Sequence, residues 1–367
     1  MNEFYLLMIP IGLVLLIIAS KTAGIVRDVS PFAYPNASIM AKQGKIISNS
    51  TFGELAESKS LEEVVNHLKE TEYVDYLTEY VGDSYKITDI ERALNIHMAN
   101  IYEEIHRITP DYVKPVFEVL LKRWDIENII RTLRCLDAKK DPNNYMIAIG
   151  TFSNSQREQL AKSTSIDEVV MSITPELEHV LNNVQDEDLV QIENTLLSYY
   201  YESLWRFLDN SRDNNILLLR EYYGMIIDAT NILSALRLNV MEETSDIPGN
   251  FLPVTFGVPL EDLKGISTAE EVGIVINILA KTQYSKIFEE NMTEYEKNKN
   301  IAVFEQALQD IIVSKGKDIS ILNPLGVGPT IGYLAQKQSE VRKLKAIIIG
   351  IYEGLEPEKI KRYVGVS

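Results

Sequence analysis

The sequence predicts an all-α protein, and three observations predict it. Apolar residues recur at three- and four-residue spacing through 61–80, 111–137, 186–208, 214–240, 269–282 and 330–350. Prolines stand mostly between these runs, at Pro110, Pro142, Pro175, Pro248, Pro253, Pro259, Pro324 and Pro357. No stretch alternates apolar and polar residues with period two, and no Asn-Gly hairpin signal occurs, which argues against a large sheet.

The N-terminus comes first. Residues 4–19 carry no charge and include Phe4, Leu7, Ile9, Leu13, Leu16 and Ile18. With Ser20 added and Lys21 snorkelling, the run is just long enough to span a bilayer. A cleaved signal peptide fits poorly, because Glu3 is the charge that precedes the run. A core helix would be apolar on every side. The expectation is a transmembrane anchor over 1–24, with Lys21 and Arg27 on the inner side. That places the N-terminus outside and the remainder on the cytoplasmic face of the cell membrane.

Two elements then repeat. Asn-Ile-x-x-x-Leu-Arg occurs at Asn128–Arg134 and, 103 residues later, at Asn231–Arg237; Asp125 and Asp228 stand three residues before each Asn. A Ser/Thr-x-x-Glu-Val box, which predicts a capped helix start, occurs at Ser60, Ser165 and Thr268. The distance from Asn to box is 37 residues in both full copies. Near the end, Glu340-Val341-Arg342-Lys343-Leu344 echoes Asp-x-x-Asn-Ile. The repeats predict related helical units at 25–115, 116–215 and 216–320, with 321–367 closing onto the first. Three units in one chain suggest a pseudo-threefold arrangement with the polar stripes of the Asn/Arg helices facing a shared axis.

Composition narrows the function. The 367 residues allow two or three domain-sized units, and a net charge of −17 disfavours nucleic acid as a partner. A single cysteine, Cys135, excludes an intrachain disulfide and a multi-cysteine zinc site, and it suits a packed helix. Gly326-Val327-Gly328 lacks the Gly-Lys-Ser/Thr of a phosphate loop and reads as a turn before a helix. His67, His97, His106 and His179 form no metal-binding spacing, and the paired acids Glu103-Glu104, Glu242-Glu243 and Glu289-Glu290 read as solvated faces. No catalytic residue, cofactor or metal ligand is assigned. Arg134, Arg237, Lys337 and Arg342 stand out as candidate partner contacts, because a basic axis in an acidic protein would grip an acidic shaft. The competing reading pairs them with Asp125, Asp228 and Glu340 on neighbouring turns.

The order of Tyr34-Pro35-Asn36-Ala37, Asp125-Ile126-Glu127-Asn128-Ile129, and Pro324-Leu325-Gly326-Val327-Gly328-Pro329 followed by Gly332-Tyr333-Leu334, Lys337, Glu340 and Leu344 resembles one family. It is similar to the C subunit of the archaeal/vacuolar-type rotary ATPases, which corresponds to the d subunit of the vacuolar enzymes, over about residues 30–367. Two departures stand at Ser38-Ile39-Met40, where the family usually has a basic run, and at Lys343, where it usually has Asn. The resemblance implies a funnel of three similar helical subdomains and a non-catalytic place in the central stalk. It implies the proteolipid (c/K) ring beneath, the D- and F-type shaft subunits in the funnel's mouth, and torque passing between them during ATP synthesis or hydrolysis. The alternative is a membrane-tethered helical scaffold of an unrelated complex.

Overall fold

A computed structural model describes residues 20–24, 26–182, 188–241 and 251–366. Helices are the regular structure throughout these residues, and no strand occurs among them. They fall into three consecutive sets, each of three short helices followed by two long ones. The first set is Asn49–Ala56, Leu61–Leu68 and Val74–Tyr80, then Ile87–Ile108 and Lys114–Asp137. The second is Asn154–Lys162, Ile166–Ser172 and Pro175–Asn182, then Leu189–Asp209 and Asn214–Met241. The third is Leu260–Ser267, Val272–Leu279 and Ser285–Asn298, then Ala302–Leu322 and Gly328–Tyr352. Ala33–Gln43 precedes the sets and Pro357–Val364 follows them.

Local chemistry sets the helix starts. Ser60 and Ser165 each accept the amide of the residue three positions on, Glu63 and Glu168. Each glutamate reaches back, but to the amide one residue before the cap, at Lys59 and Thr164. The third box does not form. Thr268 ends the Leu260–Ser267 helix and donates to the Lys264 carbonyl, and the next helix begins later with Glu271 at its N-cap. A full reciprocal box occurs at Ser153 and Gln156 instead. Proline opens Pro175–Asn182 and Pro357–Val364, where its missing N–H costs nothing.

Apolar burial joins the sets into one continuous core. The second long helix of each set is its most enclosed element. Asn214–Met241 buries Ile216, Leu219, Tyr222, Tyr223, Ile227 and Ile232, which lie on more than one face. Ala302–Leu322 and Gly328–Tyr352 run back to back at close range. A Cβ on Gly316 would lie 2.4 Å from the Ala335 Cβ, and one on Gly332 would lie 2.6 Å from the Ser320 Cβ. Only glycine permits that approach without a backbone shift. Gly328–Tyr352 then packs on Ala33–Gln43 and the first set, and Pro357–Val364 packs on Asn49–Ala56.

The expected single-pass membrane placement is corrected. No helix among the described residues is long and apolar enough to cross a membrane. The long helices carry charge within their length, as Lys337, Glu340, Arg342, Lys343 and Lys345 do in Gly328–Tyr352, and hydrocarbon penalises each such group. The run proposed as the anchor, 4–19, lies outside the described residues.

Candidate functional site

Each second long helix carries one buried carboxylate that holds the chain on the N-terminal side of a short helix. Asp125 in Lys114–Asp137 accepts the Thr151 amide at 2.7 Å, the Thr151 hydroxyl at 2.6 Å and the Phe152 amide at 3.1 Å. Asp228 in Asn214–Met241 accepts the amides of Phe256 at 3.0 Å and Gly257 at 2.8 Å, and the Tyr284 hydroxyl at 3.0 Å. Glu340 in Gly328–Tyr352 accepts the Ile47 amide at 2.7 Å and the Tyr73 hydroxyl at 2.6 Å. Phe152 and Ile47 each immediately precede the N-cap of the next short helix, Ser153 and Ser48.

The Asn of the repeat completes the clamp in the first two cases. Asn128 exchanges two bonds of 2.8 Å with the Ile147 amide and carbonyl. Asn231 accepts the Leu252 amide at 2.8 Å and donates to the Val254 carbonyl at 3.0 Å. Both side chains are buried, so each satisfies loop groups that water cannot reach. At the third position stands Lys343, whose ammonium lies over the Phe52 ring at 5.3 Å. That carbon-rich contact replaces the amide exchange.

The third clamp has further charge. Lys337 has no exposed surface; its ammonium contacts Glu72 and lies 2.5 Å from Glu340. His97 Nε2 lies 3.4 Å from Glu72, and its ring packs on Tyr73 and Tyr76 at 4.4 and 4.9 Å between centroids. Burial pushes the Glu72 carboxyl up, but the neighbouring His97 ring and the Lys337 charge outweigh it and hold it down at about 2. Burial, then the Glu340 charge, raises the Tyr73 hydroxyl well above its usual value. Asp125 and Asp228 shift upward, because burial exceeds the help of their amide and hydroxyl donors.

The candidate contact residues separate. Arg134 is exposed and donates from Nε and Nη2 to Glu193, each at 2.6 Å. Arg237 is exposed and donates to Glu305 at 3.2 Å. Each pair links the second long helix of one set to the first long helix of the next. The partners are therefore neither Asp125 nor Asp228, which are occupied with loop amides. Ile349 stands at the corresponding place in the third helix. Lys337 is wholly internal, and Arg342 is half-buried with one hydrogen bond among the described residues, to Gln306. The structure thus brings Lys337 together with Glu340, while Arg134 and Arg237 pair with Glu193 and Glu305 and Arg342 bonds to Gln306.

Sequence reasoning passed over Glu72, Tyr73 and Asn215. Asn215 Oδ1 accepts the Val327 amide at 2.9 Å, and Asn36 donates to the Pro324 carbonyl at 2.9 Å. The glycine-rich segment at 324–329 is therefore a turn held by asparagines from two other parts of the chain. The pairing of Tyr-Pro-Asn-Ala with Pro-Leu-Gly-Val-Gly-Pro accounts for the Asn36 contact alone. Among the described residues no group of three His, Cys, Asp or Glu is arranged to hold a metal.

Fold and site together define a helical scaffold protein whose buried polar groups brace one set of helices against the next. A family model described as ATP synthase (C/AC39) subunit matches residues 35–363. The chain belongs to that family, and in it is a non-catalytic subunit of an ATP synthase complex, working among the other subunits. Relatives bear this out. The C subunit of the A-type ATP synthase of Methanocaldococcus jannaschii is 34% identical, covering 92% of this chain and 86% of its own. Those of Pyrococcus abyssi and Thermococcus onnurineus are each 31% identical, covering 95% and 94% of this chain and 94% and 93% of their own.

Proposed function

We propose that this chain is the coupling collar of the central stalk in an A-type ATP synthase. It sits on the proteolipid ring, receives the shaft in the mouth of a threefold funnel, and passes torque between them. The observation that carries the reading is the latch between the chain's ends: Glu340 bonds to Ile47 and Tyr73 of the first set. A collar under torque must resist opening at its seam, and a buried, multiply bonded carboxylate resists better than an exposed pair. The same clamp joins the first set to the second and the second to the third, so the three junctions are alike in kind. Arg134 and Arg237, exposed at equivalent places, are the proposed shaft or ring contacts, with Arg342 turned toward the interior.

The test is a tagged chain purified from native membranes, followed by coupling assays on the assembled complex. The proteolipid and the shaft subunits should co-purify. Replacing Arg134 and Arg237 with Ala should leave ATP hydrolysis by the head intact while ion-driven synthesis falls. Co-purification with stator subunits alone, without ring or shaft, overturns the collar. Normal coupling in the double variant overturns the arginine contacts and leaves the collar standing.

A further inference from the structure

Long helices from all three sets converge on a cavity of about 370 Å³. They are Ile87–Ile108 and Lys114–Asp137 of the first set, Leu189–Asp209 of the second and Gly328–Tyr352 of the third. The volume is that of a small-molecule pocket. Its walls include Trp124, Tyr200 and Val341, and its charged lining is Arg123, Arg342 and Lys345, with no Asp or Glu. In a chain of net charge −17, a cavity charged with one sign, and that sign positive, needs a reason.

The cations there are under-compensated. Arg342 donates from Nη1 to the neutral Gln306 at 3.2 Å. Its Nε and Nη2 are buried with no partner among the described residues. Lys345 donates to the Asn95 amide oxygen at 2.7 Å, and no carboxylate pairs with it among those residues. Arg123 is partly neutralised, 3.5 Å from Glu127, and lies over the Tyr200 ring at 6.0 Å. Burial lowers the affinity of Arg342 and of Lys345 for their protons, and the charges of Asp310 and Glu305 near Arg342 and of Glu91 near Lys345 oppose it only in part. Half-buried cations without counter-charge are costly, and an incoming anion would remove that cost.

We propose that this cavity binds a small anion carried on an aromatic or apolar body, a carboxylate, sulfonate or phosphate whose charge meets Arg342 and Lys345. The ring or chain of such a ligand lies against Trp124, Tyr200 and Val341. The site is independent of the collar reading, because it needs only this chain.

The probe is 1-anilinonaphthalene-8-sulfonate, titrated into the full chain and followed by fluorescence and calorimetry. Its neutral counterpart, N-phenyl-1-naphthylamine, has the same rings without the sulfonate. The sulfonate should bind saturably at one site, and at least ~10-fold more tightly than the neutral probe, as charge-assisted contacts imply. Arg342→Gln and Lys345→Met should each weaken the sulfonate by a similar factor, while Lys286→Gln, on the exposed surface, should not. Melting curves by circular dichroism check that each variant folds. Equal binding of the two probes overturns anion recognition, and that comparison depends on no variant. Unsaturable binding, or equal loss in Lys286→Gln, overturns the site.

Discussion

Tyr73 and Glu340 stand 267 residues apart in the chain, and the tyrosine hydroxyl donates to the glutamate at 2.6 Å inside the core. The bond joins a turn between the short helices of the first set to the last long helix. The same carboxylate also accepts the Ile47 amide and touches Lys337, so three groups depend on it.

Replacing Glu340 with Ala should therefore be among the most damaging single changes. It leaves Lys337 to Glu72 alone and strips Ile47 and Tyr73 of their acceptor. Breaking a buried pair by removing one partner costs about 3–5 kcal/mol. The double variant Lys337→Met, Glu340→Leu should recover part of that loss. Chemical denaturation of the three proteins checks it; a loss for Glu340→Ala within the range of surface changes would show that the latch does not hold the ends.

Asn128 and Asn231 each accept one loop amide and donate to a loop carbonyl, so their losses should match. Asn128→Ala leaves the Ile147 amide and carbonyl without a partner, at about 1–3 kcal/mol for each buried group left unsatisfied. Asn231→Ala should cost a similar amount. The clamps share no partner, so the double variant should lose about the sum. Strong non-additivity in urea unfolding would mean that the loops are coupled.

Acid should weaken the protein partly through Glu72. Its folded value is depressed to about 2 from an ordinary 4.5. A depressed carboxylate contributes stability that is complete above its unfolded value and is lost as pH falls toward the folded one. The window is therefore from about 4.5 down to about 2. Asp125 and Asp228, raised by burial, act in the opposite direction, so comparison with Glu72→Gln isolates the effect. The stability gap between wild type and Glu72→Gln should narrow as pH falls through that window. A gap that stays constant between about pH 6 and about pH 2.5 contradicts it.

The arginine pairs should matter little to folding. Arg134 and Arg237 are exposed, and such pairs contribute about 0–1 kcal/mol. Ala at both should shift the unfolding midpoint only slightly, and less still at high salt. A large loss would show that these pairs are structural joints rather than free surface.

Much of this protein was legible in its residues. Helical spacing and proline punctuation predicted an all-α chain, and the repeat at Asp125/Asn128 and Asp228/Asn231 marked the residues that prove to be the clamps. The landmark at 324–329 pointed to the family. These signals are local or strictly periodic, and both survive in one dimension. The function of the clamp residues did not survive there. Asp125 reaches residues 26 and 27 positions on, and Asp228 reaches 28 and 29, because the intervening loops differ in length. For the arginines the sequence left an axial grip and local ion pairs both open; Arg134 and Arg237 pair with Glu193 and Glu305 of the neighbouring helix. Thr268 matched a capping box by spacing but ends a helix instead of starting one, and the next helix starts at Val272. The third clamp was the hardest to see. Lys343 replaces its Asn, and Glu340 finds its partners at the far end of the chain, through Tyr73 and Ile47. Sequence alone determined which residues repeat. Only tertiary structure decided which repeat closes on which, because a buried carboxylate is satisfied by whatever donors the packed helices bring to it.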